Sequence, residues 1–213
     1  MARKTSFILN TINMALITPE EQEKMYSLLA EHNVTLVKIT PAQRLVIYGL
    51  SEKSFQILQK DLDSIPLTAR TRTAVRGVYV ADVRCCPDPE QCAHTIAPTQ
   101  RLGRKIHNIS LPNPLPHKVK IAISGCSRCC TEPYVRDLGI IATRKGWKIV
   151  FGGNAGGRPR IADLIAENLS EEQVVSIVEK VLNFYITHAS KRQRTARFVE
   201  KIGIDTIKEK ILK

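Results

Sequence analysis

Apolar positions along the chain switch between a two-residue and a three-to-four-residue rhythm, and each switch predicts an element. Residues 11–17, TINMALI, read as a strand. TPEEQEKMYSLLAEHN then carries a capping box, with Thr18 as N-cap, Pro19 in the first turn and Glu21 three residues on. Met25, Leu28 and Leu29 give that helix one apolar face. Strands are expected at 34–39 (VTLVKI) and 44–49 (RLVIYG) around a turn near Pro41, and SEKSFQILQKDL returns to the helical spacing through Phe55, Leu58 and Leu62. The order β-α-β-β-α makes a small α+β domain over residues 1–70.

Pro66 and the basic stretch TARTRTAVRG open a second domain, 71–213. In it GVYVADV reads as a strand, AHTIAPTQRLGRKI as a helix, proline-rich LPNPLPHK as a linker and KVKIAI as a buried strand. GIIATRKGWKIVFGGNAGGRPR predicts a hairpin and then a glycine-rich loop. A long helix follows, capped by Ser170 and Gln173, with Val174, Ile177, Val178, Val181, Leu182 and Tyr185 as its core stripe. The last residues, KRQRTARFVEKIGIDTIKEKILK, read as a basic amphipathic tail.

Composition narrows the class. Hydrophobic residues make up 43% of the chain and charged residues 24%, as in soluble globular proteins. No apolar run is long enough for a membrane span, and the N-terminus lacks the core of a signal peptide, so a cytoplasmic location is expected. Clustered thiols in that compartment point to metal more than to disulfides. The net charge of +12 calls for an anionic partner. Aromatics are only 5%, and no basic run is interleaved with them, so nucleic acid is not expected. A buried polyanionic cofactor or a small oxyanion substrate accounts for the charge equally well.

All six cysteines lie in two short groups: Cys85, Cys86 and Cys92, then Cys126, Cys129 and Cys130, which begin 34 positions after Cys92. Four thiolates from two loops suit tetrahedral zinc or a [4Fe–4S] cluster. Zinc would prefer Cys126 and Cys129 with Cys92 and either Cys85 or Cys86, but the gap in the first pair is wide for a zinc knuckle. A catalytic cysteine served by His94 or His107 would leave the clustering unexplained.

Cys86-x5-Cys92 followed by Cys126-x3-Cys130 resembles the signature of the siroheme-containing sulfite and nitrite reductases. KVKIAISGCSRCCTEPYVRDLGII resembles the stretch holding that family's second cysteine pair, FGGNAGGRPRIADLI its glycine-rich segment, and ITPAQRLVIYGL, with Thr40 and Gln43, a strand of its ferredoxin-like domain. The resemblance spans nearly the whole chain and fits best the small, single-unit members. It implies a ferredoxin-like N-terminal unit packed on an α+β siroheme and iron–sulfur domain. It also implies that Cys86, Cys92, Cys126 and Cys130 hold a [4Fe–4S] cluster, that Cys130 bridges to the siroheme iron, and that Cys85 and Cys129 are packed residues. The implied reaction is six-electron reduction of sulfite to sulfide or nitrite to ammonia.

Siroheme in the family carries eight carboxylates, which need countercharge if buried. Arg70, Arg72, Arg76, Arg128, Arg136 and Arg158, with Gly153 and Asn154 of the glycine-rich loop, are the candidates to hold it. Lys118 and Lys120 match the family's Lys-x-Lys strand at the substrate. The family's arginine in Thr-x-Arg-Gln falls on Ala42, so Arg44, two residues on, takes its place; Arg84 lies closer to the first cysteine pair than the family's second arginine does. GGNAGGRPR follows a hairpin rather than opening a βαβ unit, so no dinucleotide site is expected and electrons come from an external donor protein such as a ferredoxin. A homo-oligomer could bring a second copy over the haem, as fused halves do in longer relatives. The departures at Ala42 and Arg84 also suit an electron-transfer or sensing subunit; a zinc-stabilised nucleic-acid module is the more distant alternative.

Overall fold

A computed structural model of the chain describes residues 6–9, 17–40, 44–65 and 80–212. The chain divides into two units, Met1–Thr73 and Ala74–Lys213.

The first unit runs β1 (Ser6–Leu9), α1 (Pro19–Glu31), β2 (Leu36–Ile39), β3 (Leu45–Tyr48) and α2 (Glu52–Ser64). Its three strands form an antiparallel sheet in the order β1-β3-β2. Leu9, Leu45 and Ile47 meet Met25 and Leu29 of α1 and Leu58 and Leu62 of α2 in one core, and Phe7 stacks on Phe55. The Thr18–Glu21 capping box starts α1 as its sequence predicts: the Thr18 hydroxyl accepts from Glu21 N–H, and the Glu21 carboxylate accepts from Thr18 N–H. The strand expected at 11–17 falls, up to residue 16, outside the described residues, and so does Ala42; the described first strand is Ser6–Leu9.

The second unit runs β4 (Val80–Cys85), α3 (Thr99–His107), β5 (Val119–Ser124), a 3-10 turn (Pro133–Val135), β6 (Leu138–Thr143), β7 (Gly146–Phe151), β8 (Asp163–Leu169), α4 (Glu171–His188), α5 (Thr195–Ile202) and α6 (Ile204–Ile211). The five strands lie in chain order, with β4, β5 and β6 parallel and β7 and β8 antiparallel additions. Alternation sends Val119, Ile121, Ile123, Leu138, Ile140, Ile149 and Phe151 to one face. There they pack on Leu102 and Ile106 of α3, on the whole predicted stripe of α4 and on Phe198, Ile207 and Ile211.

Two expectations change here, and the tail gains detail. Helix α3 starts at Thr99 rather than Ala93, because Pro98 forces the preceding residue out of the helical region and itself stands as N-cap. Strand β8 is not evident from its sequence, since only Ile165 and Leu169 are buried, four positions apart, a helix-like spacing. Shifts in the β7–β8 register and the left-handed backbone of Asn168 break the two-residue rhythm. The basic tail is two helices that close the core, with Ala196, Phe198, Val199, Ile207 and Ile211 buried.

Candidate redox and anion site

Strands β4 and β5 are parallel neighbours, so the loops that follow them leave the sheet at the same end. Those loops carry the two cysteine groups, which explains how thiols so distant in sequence come together. Alternation also separates Cys85 from Cys86. Cys85 pairs in register with Ile123 and packs on the core face, its Sγ only 2.3 Å from where a Cβ on Gly103 would stand. Cys86 lies one residue beyond the strand, buried, and its N–H donates to Ile123 O at 3.0 Å. Its carbonyl accepts from the Thr99 hydroxyl at 2.6 Å and from Gln100 Nε2 at 2.8 Å, while Asp88 accepts from Gln100 N–H, so the first turn of α3 clamps the first loop.

The second loop lies back over the opposite face of the sheet. A Cβ on Gly139 would meet Pro133 O at 2.3 Å, and one on Gly153 would meet Arg136 O at 2.4 Å. The loop can therefore rest on β6 and against the start of the glycine-rich segment only because both positions lack side chains. Ile141, Val150 and Ala162 make a small apolar floor there for Cys129 and Tyr134.

None of the six cysteines forms a disulfide. Burial pushes the Cys86 thiol up, hydrogen bonds from Gly125 N–H and Ser124 offset part of this, and the neighbouring Cys130 and Cys126 push it up further. Burial also raises Cys129. Cys92 is held below its usual range by the N–H of His94, then by the hydroxyl and N–H of Thr95. The Thr95 hydroxyl is buried with no partner at bonding geometry among the described residues, yet stands near enough to the Cys92 sulfur to favour its thiolate. Cys130 is exposed. Among the described residues no three His, Cys, Asp or Glu side chains gather tightly enough for a single metal ion. A cubane sets each thiolate on a different iron and so takes a wider ring. Two thiol-bearing loops at one sheet end, with Cys126 and Cys130 near Cys86 and the Thr95 hydroxyl beside Cys92, fit such a cluster.

Arg84 pairs in register with Ala122, so it shares a sheet face with Lys120, and Lys118 alternates onto that face across buried Val119. Three of the four expected substrate-side cations thus belong to one face of one sheet. Arg44 belongs to the other unit, its N–H bonded to the Thr40 hydroxyl at 3.1 Å. Arg84 and Arg136 both reach one oxygen of Glu132, at 3.6 and 2.5 Å. Arg128 is exposed and lines a cavity of about 330 Å³ with His94, Cys126, Thr143 and Arg144. Asn154 closes its own loop, donating to Arg158 O at 2.7 Å and accepting from Gly156 N–H at 3.2 Å; Arg158 is exposed beside Glu200. Arg70, Arg72 and Arg76 lie outside the described residues.

The sequence reading missed two acidic residues. Glu132 stands between the arginines. Asp137, 1% exposed, accepts from Lys120 N–H at 2.9 Å, from Arg194 at 3.1 Å and from the Thr195 hydroxyl at 2.5 Å, tying β5 to the start of α5. The only sequence signal for either is that TEPYVRD sets two acids around Arg136.

Residues 77–213 match the family model described as the nitrite and sulphite reductase 4Fe-4S domain. The chain is 34% identical over 92% of its length to "Sulfite reductase, assimilatory-type" of Nitratidesulfovibrio vulgaris, covering 88% of that protein. It is 32% identical over 92% of its length to "Nitrite reductase (NADH) large subunit" of Escherichia coli, but spans only 23% of that longer chain. The crystal structure of dissimilatory sulfite reductase I shares the fold, with a TM-score of 0.76 at 12% identity over 96% of this chain and 68% of that one. Two cysteine loops at one sheet end, backed by that similarity along nearly the whole length, place this chain in the nitrite and sulphite reductase family.

Proposed function

We infer that the protein is a siroheme-dependent reductase that takes sulfite to sulfide, or nitrite to ammonia, with electrons from a separate donor. The observation that carries this reading is the convergence of two cysteine loops at the end of the strands whose outer face presents Arg84, Lys118 and Lys120.

Cys86, Cys92, Cys126 and Cys130 would hold the [4Fe–4S] cluster, and Cys130, which is exposed, would also serve the siroheme. When bound, these groups supply the single-electron steps and the metal at which the substrate is reduced. The chain's own residues do the rest. Lys118 Nζ and Lys120 Nζ carry protons and donate hydrogen bonds to substrate oxygens as negative charge builds on them. Arg84 adds a fixed cation on the same face. Asp137 sets the backbone of Lys120 through its N–H. Arg136 and Arg128 offer forked donors to the carboxylates of the macrocycle. Of the arginines near the glycine-rich loop, Arg160 does not join them: its guanidinium donates to Gly152 O and Ile161 O and pairs with Asp163 to close that loop. Electrons enter from an acidic donor protein that the chain's positive surface attracts.

The test is reduction of sulfite and of nitrite by protein made anaerobically in a siroheme-producing host, with reduced methyl viologen as donor. Sulfide or ammonia in proportion to the dye oxidised supports the reading. Cofactor-replete protein that turns over neither anion contradicts it and leaves an electron carrier or sensor.

A further inference from the structure

Glu132 stands where a ligand's negative charge would be expected. The guanidinium groups of Arg84 and Arg136 converge on a single oxygen, Glu132 Oε2, from 3.6 and 2.5 Å. The two arginine side chains are only 16% and 18% exposed, whereas that of Glu132 is 56% exposed. The cations are therefore the fixed partners and the anion is the one free to leave. Glu132 occupies the left-handed region at φ 61, just before the proline that rests on Gly139, so its backbone is held while its side chain reaches over the arginines.

Arg136 is also only half used. Its Nη2 donates to Glu132, but its Nε is buried with no partner among the described residues. The Nε–Nη2 edge of a guanidinium takes a carboxylate through two parallel bonds, and Glu132 accepts just one. A second carboxylate on that edge would make both bonds and release Glu132 to water.

We propose that Glu132 is a latch: a built-in carboxylate that holds Arg84 and Arg136 together on the site face and gives way to a carboxylate of the incoming tetrapyrrole. This rests on the reading of that face as the tetrapyrrole seat. Without the latch two guanidinium groups would repel each other, and with it a stray anion must first displace an internal competitor. Glu132 is thus a positioning residue, which acts on the ligand through the two arginines.

The latch predicts that removing its charge while keeping an acceptor improves binding. The full chain, carrying its iron–sulfur cluster but produced without siroheme, is titrated with uroporphyrin III, an octacarboxylate tetrapyrrole followed by fluorescence. Glu132→Gln is expected to bind it about three- to tenfold more tightly than the wild type, and the gain should shrink in 0.5 M salt. Arg136→Gln is expected to bind about tenfold more weakly. Equal or weaker binding by Glu132→Gln, with the wild type still binding, overturns the latch and leaves the seat standing. Wild type and Arg136→Gln that bind alike overturn the seat. If neither binds and Glu132→Gln does not bind either, the latch falls with the seat.

Discussion

The two faces of the β4–β8 sheet are built from the same strands and differ in almost every physical respect. One carries Val119, Ile121, Ile123, Leu138, Ile140 and Phe151 under four helices and is buried. The other carries Arg84, Lys118 and Lys120, with the second cysteine loop laid on a floor of only three apolar side chains. Strand alternation makes this division, and it makes it sharply at the first cysteine pair. Cys85 turns inward and packs, while Cys86, one residue later, joins the loop. The lesson is that the apolar face supplies the rigidity and the other face spends it, since charges and thiols facing one another need a scaffold that does not yield.

The largest effect should come from the cysteines themselves. Cys86→Ser or Cys126→Ser is expected to lose cluster iron and acid-labile sulfide nearly completely, with activity at background. Cys85→Ser should keep both and lower only stability, by about 1 kcal/mol. Equal iron loss in Cys85→Ser would break the division between the faces at this point.

Next comes Lys120→Ala. It should lower kcat/KM about 10²–10³-fold with the absorption spectrum unchanged, as expected for removal of a fixed donor at a charge-developing oxygen. A drop confined to stability would return Lys120 to the surface.

On the apolar face, Leu182→Ala removes a fully buried side chain of α4 and should cost about 3 kcal/mol in urea unfolding, with kcat scarcely changed in the folded protein.

The smallest effect concerns the link between α3 and α4. Burial alone would raise the Glu171 carboxyl, but hydrogen bonds and charge from Arg101 and Lys105 outweigh it and hold the group below its ordinary value. A depressed carboxyl stabilises the fold above its unfolded pKa and loses that contribution as pH falls through the folded one. Glu171→Gln should therefore cost about 1 kcal/mol at pH 7, and the gap to wild type should close as pH drops below about 4.5. A gap independent of pH would mean that packing, not charge, ties the helices.

Much of this arrangement is legible in the sequence alone. Capping boxes at Thr18 and Ser170 and the α4 stripe are local signals, and local chemistry decided them. Cysteine spacing, read with the resemblance it carries, pointed to the family. The β8 strand was not legible, because bulges gave Ile165 and Leu169 a helix-like spacing. Nor were Glu132 and Asp137, whose roles depend on partners brought close by the fold; for Asp137 these include Arg194, 57 residues away. Long-range polar pairing leaves no periodicity to read.

The proposed seating of a cluster and a siroheme at one sheet end is tested most directly by an absorption spectrum, with iron and acid-labile sulfide analysis, on anaerobically prepared protein. A Soret band, a red-shifted visible band, and about five irons with about four sulfides per chain are expected. Protein from the same host with no iron, or with zinc in its place, would contradict it.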